Sequence, residues 1–128
     1  MVMETDLRAR IRQDAVVAAI VGGAVDWGNR TALPAVTLTM IGGPIGSHMQ
    51  GPQRLQFARV QIDCWAETYV QAAELARAVL TASMPRATVG GTYFRQASAT
   101  HPRDLGEQVS TGFIHRQQLD LTVRYSPA

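Results

Sequence analysis

A chain of 128 residues with twelve arginines, ten acidic side chains, no lysine and a net charge of +2 fits one domain, residues 1–128. The missing lysine excludes a P-loop and a Schiff base, and so balanced a charge lacks the concentrated basic face of nucleic-acid and membrane binders. Cys64 is the only cysteine, so no internal disulfide forms, which fits a reducing compartment.

The start, MVMETDLRARIRQD, is charged and amphipathic and lacks a signal-peptide core. AVVAAIVGGAV is too short to span a bilayer. The expectation is a soluble cytoplasmic protein. Thr5 or Asp6 caps a first helix, with Leu7, Ile11, Ala15 and Ala18 on one face. Asp14 is a second cap and a place for a kink, and Gly22 and Gly23 end the helix. AVDWG reads as a short extended piece and residues 29–33 as loop.

PAVTLTMIGG is a half-buried strand, with Val36, Leu38 and Met40 alternating with Thr37 and Thr39. A long loop rich in glycine and proline follows, GGPIGSHMQGPQ. From Arg54 the chain alternates again. Ala58, Val60, Ile62 and Cys64 point one way, and Arg59, Gln61 and Asp63 the other. Leu55 and Phe57 fall on the polar parity. That slip predicts a bulge, with a second apolar surface facing a neighbouring subunit as the alternative.

Thr68 caps a helix whose stripe is Ala72, Ala73, Ala76, Val79 and Leu80, ending near Ser83 ahead of Pro85. ATVGGTYFRQASA is extended, with a hairpin turn at Gly90 and Gly91. THPRDLGEQVSTG reads as a second polar loop. The last strand, FIHRQQLDLTVRY, alternates Leu119, Leu121, Val123 and Tyr125 with Gln118, Asp120, Thr122 and Arg124. The order predicts an α+β domain, a mainly antiparallel sheet with two helices packed on one face.

Catalytic equipment is not legible in this pattern. His48, His101 and His115 have no partners at metal-ligand spacing. Cys64 lies on the apolar parity of its strand and reads as a buried, inert thiol. No G-x-S-x-G elbow occurs, and GGPIGSHMQG fits neither Walker A nor a dinucleotide loop. Asp63 with Glu67, and Asp104 with Glu107, are pairs too common to argue for acid–base work. The expectation is a non-enzyme with no cofactor and no metal.

The unit ARVQIDCWAETYVQAAELARAV resembles the core of the phage tail completion, or tail terminator, family of long-tailed phages and phage-like gene transfer agents. METDLRARI, VDWGN, LPAVTLTMIGG, GPQRLQFARVQID and HRQQLDLTVRY agree with it in order, over nearly the whole chain. The resemblance implies a structural ring, a homohexamer, at the head-proximal end of the tail tube. Such a ring ends tube polymerisation and joins tail to neck. It implies self-association, a tail tube protein and a neck or stopper protein as partners, DNA only passing through the lumen, and no membrane. It implies assembly in the bacterial host cytoplasm and then a place at the tail–neck junction of the particle. Leu55, Phe57, Arg54 and Arg59 are the candidate neighbour contact. His48, Met49 and Gln50 in the first loop, and Arg103, Asp104 and Glu107 in the second, are candidates for tube or neck contacts. The alternatives are another neck component, such as a head-completion or stopper protein, or a small ligand-binding α+β domain or enzyme.

Overall fold

The computed structural model describes residues 2–42 and 55–128. The first helix, α1 (Met3–Gln13), starts ahead of the predicted caps: Val2 is the extended cap residue and gives no side-chain bond. Thr5 and Asp6 therefore do not cap. Asp6 and Glu4 sit in the first turn, where the helix dipole favours negative charge, and Asp6 accepts from Thr92 Oγ1 at 2.5 Å.

Asp14 breaks the run. Its backbone is extended, and its carboxylate accepts from the Val16 and Val17 amides, each at 3.1 Å. A separate α2 (Ala15–Val21) follows. The break resets the helical phase, so Val17 and Val21 are buried while Ala15 and Ala18, expected on the apolar face, are exposed. Gly22, at φ 66°, closes α2.

The strands are β1 (Val25–Trp27), β2 (Ala35–Gly42), β3 (Gln56–Ala66), β4 (Ala87–Val89), β5 (Thr92–Phe94), β6 (Ser98–Ala99), β7 (Arg103–Val109) and β8 (Gly112–Pro127), with α3 (Tyr69–Ser83) between β3 and β4. They form one curled sheet in the order β1-β2-β3-β8-β5-β4. Among the described residues only the β1–β2 ladder is parallel. β8 organises the sheet: β3 lies along one edge, while β7, β6 and β5 take the other in turn. The α+β expectation holds, with three helices among the described residues in place of two because Asp14 splits the first.

Val36, Leu38, Val60, Ile62, Leu119 and Leu121 share one sheet face and pack under Leu7, Ile11, Val17, Leu75 and Val79 of the helices. The α3 stripe is shifted from expectation. Leu75 and Ala78 are buried with Ala72, Ala76 and Val79, whereas Ala73 and Leu80 are half-buried. Thr68 caps α3 as predicted, accepting from the Gln71 amide at 3.1 Å. Arg10 ties α1 to the end of α3: it donates to the carbonyls of Ser83 and Pro85 and lies over the Phe94 ring. Burial lowers its pKa from the ordinary guanidinium value.

Two further expectations fail. β3 contains no bulge against β8, since the register runs unbroken from Gln56 opposite Tyr125 to Ala66 opposite His115. The extra residue lies in β2, where the register with β3 shifts between Met40 and Gly42. The second predicted loop, residues 100–112, is mostly strand. β7 and the start of β8 form a hairpin closed by Ser110 and Thr111.

Candidate assembly surfaces

The sheet face turned away from the helices carries the polar parity of the strands, yet Asp63 is 4% exposed, with Thr37 and Gln118 nearly as deep. Gln118 donates to Asp63 Oδ1 at 3.0 Å, Gln61 donates to Oδ2 at 3.3 Å, and Arg116 stands 3.8 Å away. Arg103 reaches in from β7 to donate to Gln118 at 2.5 Å. Trp65 donates to Thr37 Oγ1 at 3.0 Å, and its ring carries Arg116 and Arg30, at 4.9 and 5.2 Å from the centroid. A buried carboxylate is tolerable only when its lone pairs are met, and here amides and guanidinia meet them. This network ties β2, β3, β8 and β7 into one frame, with Arg30 joining from the loop after β1.

At the β3 start this face becomes exposed. Phe57 is 49% exposed, with Arg124 over its ring at 5.9 Å, and Ile41 is also open. Arg59 lies on the same face, largely exposed, 3.7 Å from Asp120. Leu55 is half-buried and precedes the strand. Phe57 and Arg59, predicted at a neighbour contact, thus lie exposed on one face beside Asp120, while Arg54 lies outside the described residues. So do His48, Met49 and Gln50.

At the other end of β3 the β7–β8 hairpin runs on alone. Its last three residue pairs, Glu107 with Ile114, Gln108 with Phe113 and Val109 with Gly112, lie past the β3 terminus at Ala66. The Phe113 ring covers Gly106, where any Cβ would collide with it. It meets His115 edge-on at 4.8 Å, and His115 meets Tyr69 at 6.2 Å. Phe113, Tyr69 and Val70 are 47%, 52% and 64% exposed. Arg103 and Asp104 are strand residues bonded to Gln118 and Gln117, and Glu107 is exposed near the tip. The sequence reading missed this corner. The signal was Tyr69 and Val70, two large apolar side chains on the first turn of a helix and off its buried stripe.

A third surface is an open groove of about 550 Å³ between α2 and α3, lined by Val16, Ile20 and Ala78 with Glu74 and Arg77 on its rim. Cys64 is buried on the core face, and burial followed by the Asp63 charge pushes its thiol well above the ordinary range. Among the described residues, no three His, Cys, Asp or Glu side chains gather as a metal site would need, and no helix is long and apolar enough to cross a membrane.

The family model described as tail completion protein gp17 matches residues 5–118. The chain therefore belongs to the tail completion protein gp17 family, a family of structural proteins of phage tails. No curated protein matches the sequence. A chain in the solved virion of a native gene transfer agent particle shares the fold, with a TM-score of 0.70 at 18% identity over 97% of this chain and 94% of its own. A second solved chain, also 18% identical and covering 99% of this chain and 97% of its own, reaches a TM-score of only 0.47.

Proposed function

We propose that this tail completion protein acts as the tail terminator: a ring of six copies on the head-proximal end of the tail tube that stops tube growth and then receives the neck. The observation that carries this reading is the family match across residues 5–118. The exposed Phe57 and Arg59 support it, because a ring needs a surface that a neighbour can cover. Leu55, Phe57 and Arg59, with Arg54, contribute to that neighbour contact. His48, Met49 and Gln50 are the candidates for the tube or neck contact. DNA passes through the lumen without sequence recognition. The protein assembles in the host cytoplasm and ends at the tail–neck junction.

Deletion of the gene at its native locus, with negative-stain microscopy of the particles, tests this. Abnormally long tails, or heads and tails left unjoined, are expected. Leaking heads beside free tails of normal length would instead indicate a neck stopper. Unchanged, infective or transducing particles would remove the assembly role altogether.

A further inference from the structure

The rims of the sheet are not covered alike. β1 lies under α1, where Arg8 donates to the Val25 carbonyl and Trp27 donates to the Glu4 carbonyl. β4 also packs against α1. β7 has no such cover. It pairs with β8 alone, α3 rests on β3 and β8, and most of β7 is exposed. The two-residue turn at Ser110 and Thr111 makes Val109 and Gly112 a hydrogen-bonded pair, so Arg103, Leu105, Glu107 and Val109 turn their N–H and C=O groups toward β8. Those of Asp104, Gly106 and Gln108 point outward, and among the described residues they meet no backbone partner.

We propose that this outward edge pairs with the same edge of a second copy, antiparallel about a two-fold axis at Leu105. An open edge is a template for another strand, and the charge pattern of β7 selects an identical one. Arg103, Leu105 and Glu107 share one face, that of Gln118, Arg116 and Ile114. With Leu105 opposite Leu105, Arg103 faces Glu107 on each side of the axis, in the non-hydrogen-bonded pairs where side chains approach most closely. The neighbouring two-fold registers are worse. Centring on Asp104 or on Glu107 sets like charges opposite each other, and centring on Gly106 sets Leu105 against Glu107. Pro102 has no N–H to give and ends the ladder just beyond the favoured pairing.

The groups that this pairing needs are free to make it. Arg103 and Glu107 are exposed. Arg103 spends an N–H on the neutral amide of Gln118, and among the described residues neither side chain stands within ion-pair distance of an opposite charge. The end of the β7–β8 hairpin, past Ala66, is two-stranded and marginal by itself in water, and a second copy would add strands to it. A two-fold contact closes on itself. It is therefore a contact of the free chain, separate from the head-to-tail contact that a ring needs, and it does not rest on the terminator reading. It assigns Arg103 and Glu107, expected at a tube or neck contact, to a dimer seam.

The test uses the purified full chain, in which Cys64 is buried and stays silent. Leu105→Cys, oxidised with diamide, should give a disulfide dimer and nothing larger on a non-reducing gel, because the two residues at the axis stand close enough to bridge. Glu107→Cys, treated alike, should stay monomeric, since Arg103 lies opposite it. Sedimentation of the native chain should show a dimer that grows with concentration. Glu107→Arg should weaken that dimer about tenfold, as two attractive pairs become repulsive. Adding Arg103→Glu should restore it, and this charge reversal decides the matter even if Leu105→Cys fails to fold. A native chain that is monomeric at every concentration, a ladder beyond the dimer, or equal cross-linking of Glu107→Cys and Leu105→Cys would overturn the pairing. Each of those results leaves the terminator reading standing, since gene deletion alone decides it.

Discussion

At the middle of the sheet, around Ile62 and Asp63, the two faces are buried to similar depth by opposite chemistries. Ile62, under the helices, is fully buried among Leu38, Leu119 and their neighbours. Asp63, the next residue and pointing the other way, is 4% exposed and wholly dependent on polar partners. One face is held by shape and by water excluded from apolar surface, which is undirected. The other is held by oriented bonds, which tolerate no missing member. The difference shows how a single sheet can be both stable and rigidly registered. The apolar face supplies most of the stability, and the polar face ties four strands into one geometry.

The largest effect should come from the apolar face. Ile62→Ala opens a cavity with no exposed route for collapse and should cost about 4 kcal/mol, read from urea unfolding midpoints. Asp63→Ala should cost less, about 2 kcal/mol, because it strips partners from Gln118, Gln61 and Arg116 but frees a charge from burial. If Asp63→Ala cost as much as Ile62→Ala, the division of labour between the faces would be wrong. The variants also differ in register. Arg103 reaches Asp63 only through Gln118, so loss of Asp63 should loosen β7 against β8, seen as faster amide exchange at residues 103–109.

The same contrast explains what was legible in the sequence. Alternation located β2, β3 and β8 because one face of each meets the helices, and that periodicity is written in Val36, Leu38, Val60, Ile62, Leu119 and Leu121. It did not reveal that Thr37, Asp63 and Gln118 are buried, since a polar network has the composition of a solvated face. β7 was unreadable for a related reason. RDLGEQV lies on a sheet edge with little core contact, so neither parity needs to be apolar. The apparent phase slip at Leu55 and Phe57 was a true signal given the wrong preferred cause: the strand is regular, and Phe57 is an exposed apolar side chain on the outer face. Of the candidate site, Phe57 and Arg59 were legible. Phe113, Tyr69 and Val70 were not, because their exposure depends on where the hairpin ends relative to β3.

The helix layer gives a smaller test. Asp14→Ala removes the acceptor for the Val16 and Val17 amides and should cost about 1 kcal/mol. Because Asp14 also resets the helical phase, the loss should appear in the burial of Val17 and Val21 as well as in the urea midpoint. Asp14→Ser, which keeps a side-chain oxygen at the cap, should recover most of the loss. Equal stability of the alanine and serine variants would mean that the break is held by the packing of Val17 and Val21 alone.

The smallest effect distinguishes the faces by pH. Cys64 belongs to the apolar face, where burial and the charge of Asp63 behind it raise its thiol pKa. In the unfolded chain that thiol ionises near its ordinary value of about 8.5, while in the folded chain it stays protonated. The unfolded state then releases a proton that the folded state keeps, so stability is complete below that pH and falls as pH rises above it. One proton sets the limiting slope at about 1.4 kcal/mol per pH unit. Urea midpoints measured between about pH 8.5 and 9.5 should decline in the native chain. Cys64→Ala should start about 1 kcal/mol lower through the lost sulfur and decline less over the same range. Tyr125, whose pKa burial and the Glu4 charge also raise, adds a decline of the same sign at higher pH in both chains, so the difference between them isolates the thiol. Parallel slopes would mean that Cys64 reaches water in the folded state, and that the face beneath the helices is not sealed in the way that its contrast with the Asp63 network requires.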